Sequence, residues 1–527
     1  MLAVSIKNNI FSSNSNKTIL IDESGSCSSL NDDFCFSDEM FEKLLSRDNG
    51  FLLVVFNDNQ VFFSVDRIRS YPLYYAIENQ KLFISDSANW IKEKLENREI
   101  NDYAAIEFRQ AGFVTGSKTL YINIFTLQAG EYIYAINRTG KWETNRKRYF
   151  EYYSKNRINK PSNDLYKEMD DIFHATFSSL IQKNRDKTLV VPLSGGLDSR
   201  LIVHWLKRLG CANVLCYSFG ALNNNDCKAA RQTASKLKYK WRFVNLSTEL
   251  WNEAYQSELY QDLKKSFSGY CSLMCSQEFP AFYSLVKERA IPENSVIIPG
   301  HTGDFISGGH IPLNIYDYHL SLESVEEFIL QKHFMLWKTL KFRYRRSELN
   351  YIKDRIKRQM KKHKLSSPED IAQIIELYDW QERQAKLIVQ FVSVYKLFEY
   401  PFELPLWSKD IISFFLKIPL ELRLGKILYK KYLKEYDEFG LFEDIKLFND
   451  QNKNRLKENS IRSFLRSVKV SIYNEWFYKA FFAYFKDDLN FYAPFSYVRL
   501  PLNLGMFRNQ NSFFTQDYLS DINDGKL

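Results

Sequence analysis

A strand, a glycine-rich loop and a helix follow one another at residues 188–200, and this stretch constrains the fold more than any other. It reads Thr-Leu-Val-Val-Pro-Leu-Ser-Gly-Gly-Leu-Asp-Ser-Arg, and its apolar run predicts a buried strand. Apolar residues at helical spacing continue from Leu201 to Leu209, and Gly210 marks the end of a helix. Two glycines let the backbone turn tightly, and hydroxyl and N–H groups at a helix start can face an anion. The stretch therefore predicts a phosphate-binding loop.

The loop differs from the usual nucleotide-binding one. No lysine follows its glycines, so the G-x-x-x-x-G-K-[ST] pattern of ordinary P-loop kinases and ATPases is absent. The S-G-G-L-D-S string resembles the pyrophosphate loop (PP-loop) of ATP pyrophosphatases that activate a carboxylate or a base as its adenylate. The resemblance implies that the loop holds ATP and that its Asp binds Mg²⁺. An ordinary turn between a strand and a helix is the alternative. The residues assigned to ATP here are Leu193, Ser194, Gly195, Gly196, Leu197, Asp198 and Ser199.

Strands and helices alternate after this loop. Residues 214–219, 242–246 and 295–299 have the apolar character of buried strands, and 226–238 has that of a helix. Such alternation predicts an α/β fold with a parallel sheet that binds ligands at the carboxyl ends of its strands. The polar stretch 155–163 contains Pro161 and predicts a linker. We therefore expect a smaller lobe at 1–155 and a sheet-containing domain at 162–527.

Residues 50–86 alternate short apolar runs with turns, which predicts antiparallel strands. The stretch also resembles the amino-terminal glutaminase domain of asparagine synthetases, which implies a truncated α+β lobe of the N-terminal-nucleophile type. That glutaminase uses an N-terminal cysteine, whereas this chain has Leu2, and its cysteines Cys27 and Cys35 are internal. We therefore expect a structural lobe without glutamine hydrolysis. The matching positions are Gly50, Phe51, Asp58, Asp66, Arg67, Pro72, Leu73, Tyr74, Tyr75, Ser85 and Asp86.

A second loop at residues 300–309 follows the pattern S-G-x-G-x-D-E-L-F-x-G-Y of the same family. Gly300 and Asp304 match, and the resemblance assigns Gly300 to the nucleotide and Asp304 to a second Mg²⁺-binding position. His301 stands where the family has an acidic residue, and Phe305 where it has a glutamate. His301 is either catalytic or an ordinary loop histidine. Ser218 and Phe219 match the Ser-Phe pair against which adenine packs in the family.

Towards the carboxyl end, residues 419–430 follow the pattern P-x-x-x-R-x-x-x-K-x-x-x-R, with Lys430 in place of the last Arg. The resemblance gives Lys426 the task of stabilising charge at the α-phosphate and the acyl carbonyl, and a plain surface lysine is the alternative. Glu403 and Ser408 depart from the family pattern. The stretch after Gly440 carries no motif, and we expect it to form helices that close over the sheet.

The net charge of +9 permits an anionic partner without requiring one. Residues 341–364 hold eleven Lys and Arg against Glu348 and Asp354, which fits either a solvated helix face or a landing site for a nucleotide-linked or lipid-linked sugar. The seven cysteines contain no CxxC pair and are expected to be free thiols, although Cys271 and Cys275 could share a helix face. No apolar run reaches the roughly 20 residues needed to span a bilayer, so a cytoplasmic location is expected.

The resemblance as a whole implies an ATP-dependent ligase that adenylates a carboxylate and transfers it to ammonia or an amine. Members without the cysteine include β-lactam synthetases, lasso-peptide cyclases and proteins of surface-polysaccharide clusters, where amidation of a uronic acid is a plausible task. The expected partners are a small-molecule or glycan carboxylate and an amine donor, with a separate amidase as one source of amine and no nucleic acid. A peptide or β-lactam cyclase and a non-catalytic scaffold are the alternatives. An RNA-modifying pyrophosphatase is a third, which the amino-terminal lobe disfavours.

Overall fold

The computed structural model describes most of the chain. The described residues are 2–7, 9–12, 17–21, 27–30, 42, 47–48, 50–267, 269–274, 277–337, 346–446 and 509–527. Several residues that the sequence singled out lie outside them: Cys35, Cys275, Lys341, Arg343 and Arg345.

The strands form three sheets. In chain order they are β1 Leu2–Ile6, β2 Asn9–Ser12, β3 Lys17–Ile21, β4 Cys27–Leu30, β5 Leu52–Phe56, β6 Gln60–Val65, β7 Tyr74–Glu78, β8 Lys81–Ser85, β9 Phe125–Thr126, β10 Glu131–Arg138, β11 Lys141–Arg148, β12 Thr188–Pro192, β13 Val214–Gly220, β14 Lys240–Asn245 and β15 Ser295–Ile297. The orders are β2-β1-β8-β7-β9, β11-β10-β6-β5-β3-β4 and β14-β13-β12-β15.

The two amino-terminal sheets are antiparallel except between β1 and β8. The predicted antiparallel strands are confirmed, because β5 pairs with β6 and β7 pairs with β8 in this way. The third sheet is parallel throughout. Along β12, Leu189 and Val191 enter one apolar cluster and Val190 enters another, so both faces of this sheet are covered. The predicted α/β fold class is confirmed.

The order of the parallel strands fixes where a ligand can bind. The chain leaves β12 towards β13 on one side, and β15 returns on the other side of β12. The loops that follow β12 and β15 therefore meet at the carboxyl edge of the sheet, where ligands of open α/β sheets bind.

Helices cover this sheet and connect it to the lobe. They are α1 Ala88–Lys94, α2 Asp102–Ala111, α3 Ser162–Lys183, α4 Leu197–Arg208, α5 Asn225–Leu237, α6 Thr248–Gln256, α7 Glu258–Phe267, α8 Phe279–Lys287, α9 Gly303–Ile306, α10 Leu322–His333, α11 Arg346–Met360, α12 Pro368–Tyr378, α13 Ser393–Leu397, α14 Lys409–Phe415, α15 Leu420–Arg423, α16 Ile427–Glu435 and α17 Asn511–Asn523. A π-helical segment, Asp379–Ile388, follows α12 directly.

Buried polar contacts join the amino-terminal lobe to this π-helical segment. Lys386 Nζ donates to the carbonyl oxygens of Val114 at 2.7 Å and Gly116 at 2.5 Å, and it lies 2.5 Å from Glu382 Oε2. The backbone N–H of Gly116 donates to the Glu382 carboxylate at 3.0 Å. Both charged side chains are fully buried. The lobe is thus fastened to the rest of the chain by charges that no solvent reaches.

The predicted linker has no regular secondary structure up to Pro161, where α3 follows, but it is held in place. The backbone N–H of Ile158 donates to the carbonyl of Lys417 at 2.8 Å, and Arg157 forms an ion pair of 2.9 Å with Glu369. A single apolar cluster also contains Val54 and Phe63 of the lobe together with Val190 of the parallel sheet. The domain boundaries at 155 and 162 stay a prediction.

Most of the stretch after Gly440, residues 447–508, lies outside the described residues. Helix α17 packs against α2 of the lobe, with Phe513 and Tyr518 in one cluster with Phe108, rather than over the parallel sheet. Cys271 lies in a turn instead of on a helix, and the described free thiols are Cys211, Cys216, Cys227 and Cys271. Among the helices in the described ranges, none combines the length and apolar character that crossing a membrane requires.

Candidate functional site

The loop after β12 is shaped by its two serines. Ser199 Oγ accepts the backbone N–H of Ser194 at 3.0 Å and lies 3.1 Å from Ser194 Oγ. Ser194 Oγ in turn accepts the N–H of Gly196 at 3.1 Å. A Cβ on Gly195 would come within 2.7 Å of Asp226 Oδ1, so a side chain would not fit there without a shift. These contacts close residues 194–199 into a tight turn that leads into α4.

The loop after β15 packs directly onto this turn. A Cβ on Gly300 would lie 3.0 Å from the backbone nitrogen of Ser199, and one on Gly303 would lie 2.5 Å from Asp198 Oδ1. The N–H of Asp304 donates to Asp198 Oδ2 at 2.8 Å. The two aspartates that the sequence assigns to Mg²⁺ therefore lie side by side, although they are far apart in sequence. The family pattern did not mark Gly303. A side chain at this position would collide with Asp198, and this requirement for glycine becomes visible only in the tertiary packing.

The two aspartates differ in charge state. Burial raises the pKa of Asp198 to about 6, the hydrogen bond from the N–H of Asp304 opposes this shift, and the negative charge of Asp304 adds to it. By contrast, the hydrogen bond from His310 holds the pKa of Asp304 well below its usual range, and Lys426 also lowers it. Lys426 Nζ lies 2.5 Å from Asp304 Oδ1. Near pH 6 Asp198 is thus half protonated while Asp304 is ionised.

His310 is a residue of the site that the sequence reasoning missed. Its Nε2 lies 3.3 Å from Asp304 Oδ2, and its Nδ1 lies 2.8 Å from Asp379 Oδ2. Asp379 is fully buried and also pairs with Lys332 at 3.0 Å. Although burial alone would lower the pKa of His310, Asp379 and Asp304 raise it. The available signal was that His310 stands where the family pattern ends in tyrosine.

His301 and Ser218 both line the site, but they differ in their hydrogen bonding. The ring of His301 packs edge-on against Phe391 at 5.8 Å between centroids, and its buried Nδ1 has no hydrogen-bond partner among the described residues. Burial lowers the pKa of His301 to about 4, so the ring is neutral at pH 7. Ser218 Oγ donates to the carbonyl of Leu193 at 2.6 Å and accepts from Trp241 Nε1 at 2.9 Å, so it joins neighbouring strands.

All the residues predicted from the sequence to bind nucleotide or metal or to act in catalysis line one cavity of about 570 Å³. They are Leu193, Ser194, Gly195, Gly196, Leu197, Asp198, Ser199, Ser218, Phe219, Gly300, His301, Asp304 and Lys426. The structure adds further cavity-lining side chains that no motif indicated: Tyr217, Asp226, Cys227, Gln277, Glu278, Phe391 and Tyr395.

Residues 180–438 match the family model of asparagine synthase. This part of the chain is an asparagine synthase domain. The matched asparagine synthase domain contains both loops of the cavity and Lys426, whereas the amino-terminal lobe lies outside it. The match supports ATP-dependent amide-ligase or synthetase activity.

Solved structures resemble the chain only weakly. An NH3-dependent NAD synthetase from Campylobacter jejuni has 17% identity and a TM-score of 0.20, with 40% of this chain and 99% of that chain covered. An NMN synthetase from Francisella tularensis has 12% identity and a TM-score of 0.21, with 44% and 97% covered. A predicted subunit of tRNA methyltransferase from Methanocaldococcus jannaschii has 19% identity and a TM-score of 0.15, with 32% and 73% covered. No curated protein matches the chain.

The residues of the asparagine synthase domain fit ATP and Mg²⁺. A Cβ at Gly195 would force Asp226 to shift, and residues 194–199, which lead into α4, line the same cavity as Asp198 and Asp304. Within the described ranges, no group of three or more His, Cys, Asp or Glu forms a metal cage. Asp198 and Asp304 offer two adjacent carboxylates, and proteins usually hold Mg²⁺ through one or two carboxylates together with substrate phosphates.

Three departures from the family pattern, at Phe305, Glu403 and Ser408, have structural roles. Phe305 is fully buried and packs against Tyr152 and Trp407. Glu403 pairs with Lys183 at 2.7 Å, and Ser408 caps α14 by accepting the N–H of Ile411. None of the three lines the cavity.

The described part of the basic stretch lies mostly in α11, and four of its eight Lys and Arg form ion pairs: Lys353, Arg355, Lys357 and Lys362. Arg355 pairs with the buried Glu107 of the lobe at 3.0 Å, and Lys353 pairs with Glu326 at 2.9 Å. These contacts favour a structural face over a landing site for substrate.

Proposed function

We propose that this protein is an ATP-dependent ligase that adenylates a substrate carboxylate and transfers the acyl group to ammonia or an amine. The observation that carries the proposal is the convergence of both loops and Lys426 on one cavity at the carboxyl edge of the parallel sheet. The asparagine synthase domain covers all of these residues.

In the first step a carboxylate oxygen of the substrate attacks the α-phosphorus of ATP, and the bond to pyrophosphate breaks. Residues 194–199, with Leu193 and Gly300, hold the nucleotide, and Asp198 and Asp304 would hold Mg²⁺. Bound Mg²⁺ offsets the charge on the leaving pyrophosphate. Lys426 is paired with Asp304 here and is placed to turn towards the α-phosphate.

In the second step the amine nitrogen attacks the acyl carbon, the bond to AMP breaks and the nitrogen loses a proton. Because His301 lines the cavity and is neutral at pH 7, its ring can accept a hydrogen bond from a bound reactant. We assign His301 to this step rather than to the phosphate side.

The amine comes from ammonia, from an amino group of the acceptor or from a partner amidase. Leu2 stands where the family has its nucleophile, and it is buried in β1 opposite Leu82. A leucine has no nucleophilic atom, so we propose that the lobe serves as structure and hydrolyses no glutamine.

The test is ATP–pyrophosphate exchange with Mg²⁺ and a panel of carboxylates that includes aspartate, free uronic acids, nucleotide-linked uronic acids and linear peptides. We expect exchange with one class and no release of glutamate from glutamine. Exchange with a uronic acid supports the polysaccharide role, and exchange with a peptide supports a cyclase. Exchange with none of them supports a scaffold, and steady glutamate release contradicts the assignment of the lobe.

A further inference from the structure

Glu278 is a buried carboxylate that faces the cavity and that the proposed mechanism does not use. It immediately precedes α8, yet its side chain makes no capping hydrogen bond to that helix. Instead, Tyr395 Oη donates to Glu278 Oε2 at 2.9 Å, and Tyr217 Oη donates to Glu278 Oε1. Glu278 is 7% exposed and lines the cavity with both tyrosines.

The charge balance around Glu278 is incomplete. Its two tyrosines are neutral donors, and among the ion pairs of the described chain none involves Glu278. Lys426 is the sole Lys or Arg among the described residues that line the cavity, and it is already paired with Asp304. A buried carboxylate without a cation is costly, and ATP, which is itself an anion, cannot offset it. Of the two reacting groups in the proposed reaction, a carboxylate and an amine, the amine in its ammonium form is the one with positive charge.

We infer that Glu278, oriented by Tyr217 and Tyr395, binds the ammonium group of the amine substrate, an inference that rests on the proposed function. Each carboxylate oxygen already accepts one tyrosine hydroxyl and has a further lone pair for an ammonium N–H. His301 and Phe391 line the same cavity. Burial raises the pKa of Glu278, which favours transfer of one ammonium proton to this carboxylate and leaves the lone pair that amide formation requires.

The first test measures binding without catalysis. Thermal unfolding of the full chain is followed during titration with ammonium chloride or with tetramethylammonium chloride, which carries the same charge but no N–H donor. At about ten times the dissociation constant, we expect ammonium to raise the melting temperature by about 1 to 2 °C more than tetramethylammonium. Glu278→Gln should lose this difference.

Glu253→Gln is the matched control, because Glu253 also accepts a tyrosine hydroxyl, that of Tyr283 at 3.0 Å, but lies outside the cavity. It should keep the ammonium response. An equal effect of the two salts on the wild type overturns the inference, even if Glu278→Gln fails to fold. A response that persists in folded Glu278→Gln also overturns it.

The second test uses the carboxylate found by pyrophosphate exchange. Loss of a charged hydrogen bond should raise the KM for ammonia about 10-fold to 100-fold in Glu278→Gln, with little change in exchange or in the KM for ATP. A raised KM for ATP instead would assign Glu278 to the nucleotide and overturn the inference. If no carboxylate supports exchange but the ammonium response depends on Glu278, the proposed ligase fails while the ammonium site stands.

Discussion

Buried carboxylates occur both at the lobe interface and at the cavity, but their partners differ. At the interface, Glu382 accepts from Lys386, from the N–H of Gly116 and from Gln128 Nε2 at 3.1 Å. At the cavity, burial raises the pKa of Asp198, and the side-chain donors to Glu278 from the described part of the chain are two tyrosines. The interface satisfies its charges within the protein, whereas the cavity leaves two carboxylates that a cation would stabilise.

The difference distinguishes charges that stabilise the fold from charges that are available to bind a ligand. A buried pair costs little once both partners are present, but removing one partner leaves an uncompensated charge. A carboxylate that lacks a cation in the free protein gains most when Mg²⁺ or an ammonium ion arrives. The comparison therefore predicts opposite responses to substitution in the two regions.

The largest effect is expected at the interface. Lys386→Met removes the cation but keeps much of the apolar volume, so Glu382 stays buried without its charge partner. We expect the free energy of unfolding to fall by about 3 to 5 kcal/mol, measured by thermal or denaturant unfolding. Lys386→Met combined with Glu382→Gln should recover part of the loss. Full stability in Lys386→Met alone would contradict the structural role of this pair.

The next largest effect concerns activity. Asp304→Asn and Asp198→Asn each remove a carboxylate proposed to hold Mg²⁺, and we expect ATP–pyrophosphate exchange to fall by more than about 100-fold. The surface variant Glu253→Gln should exchange at the wild-type rate. Wild-type exchange in either aspartate variant would rule out the assigned Mg²⁺ position.

The smallest expected effect is a gain in stability on substitution, opposite in sign to the loss expected at the interface. An unfolded Asp has a pKa near 4, whereas the folded pKa of Asp198 is about 6. The folded state therefore loses stability as pH rises between these values, and the cost is complete at pH 7. Asp198→Asn removes this cost and should stabilise the free protein at pH 7 by about 1 to 2 kcal/mol, allowing for partial solvent exposure. The gain should disappear at pH 4, as unfolding measured at both pH values would reveal. Equal gains at both would refute it.

Local pattern was enough to predict the elements that carry the nucleotide loop. Consecutive apolar residues from Leu189 to Val191 indicate a strand buried on both faces, and Gly195 and Gly196 before a periodic helix indicate the turn. The match to an ordered family pattern also placed Asp304, Gly300 and Lys426 at the cavity, because such patterns record positions that meet in space. Glu278, Tyr217 and Tyr395 had no comparable signal, since each stands alone in its local sequence, and His310 was marked only by its departure from the family's tyrosine.

The sequence by itself determined the α/β class, the two loops and the absence of a nucleophile at Leu2, because these depend on residue type and on short-range periodicity. Only the tertiary structure decided which charges are paired. Asp304 contacts His310 and Lys426, and Glu278 contacts Tyr217 and Tyr395. Glu278 and Tyr395 are more than one hundred residues apart in the chain. Burial and long-range contacts determine the pKa of a carboxylate and whether a cation lies beside it. Neither property can be predicted from the residue's neighbours in sequence.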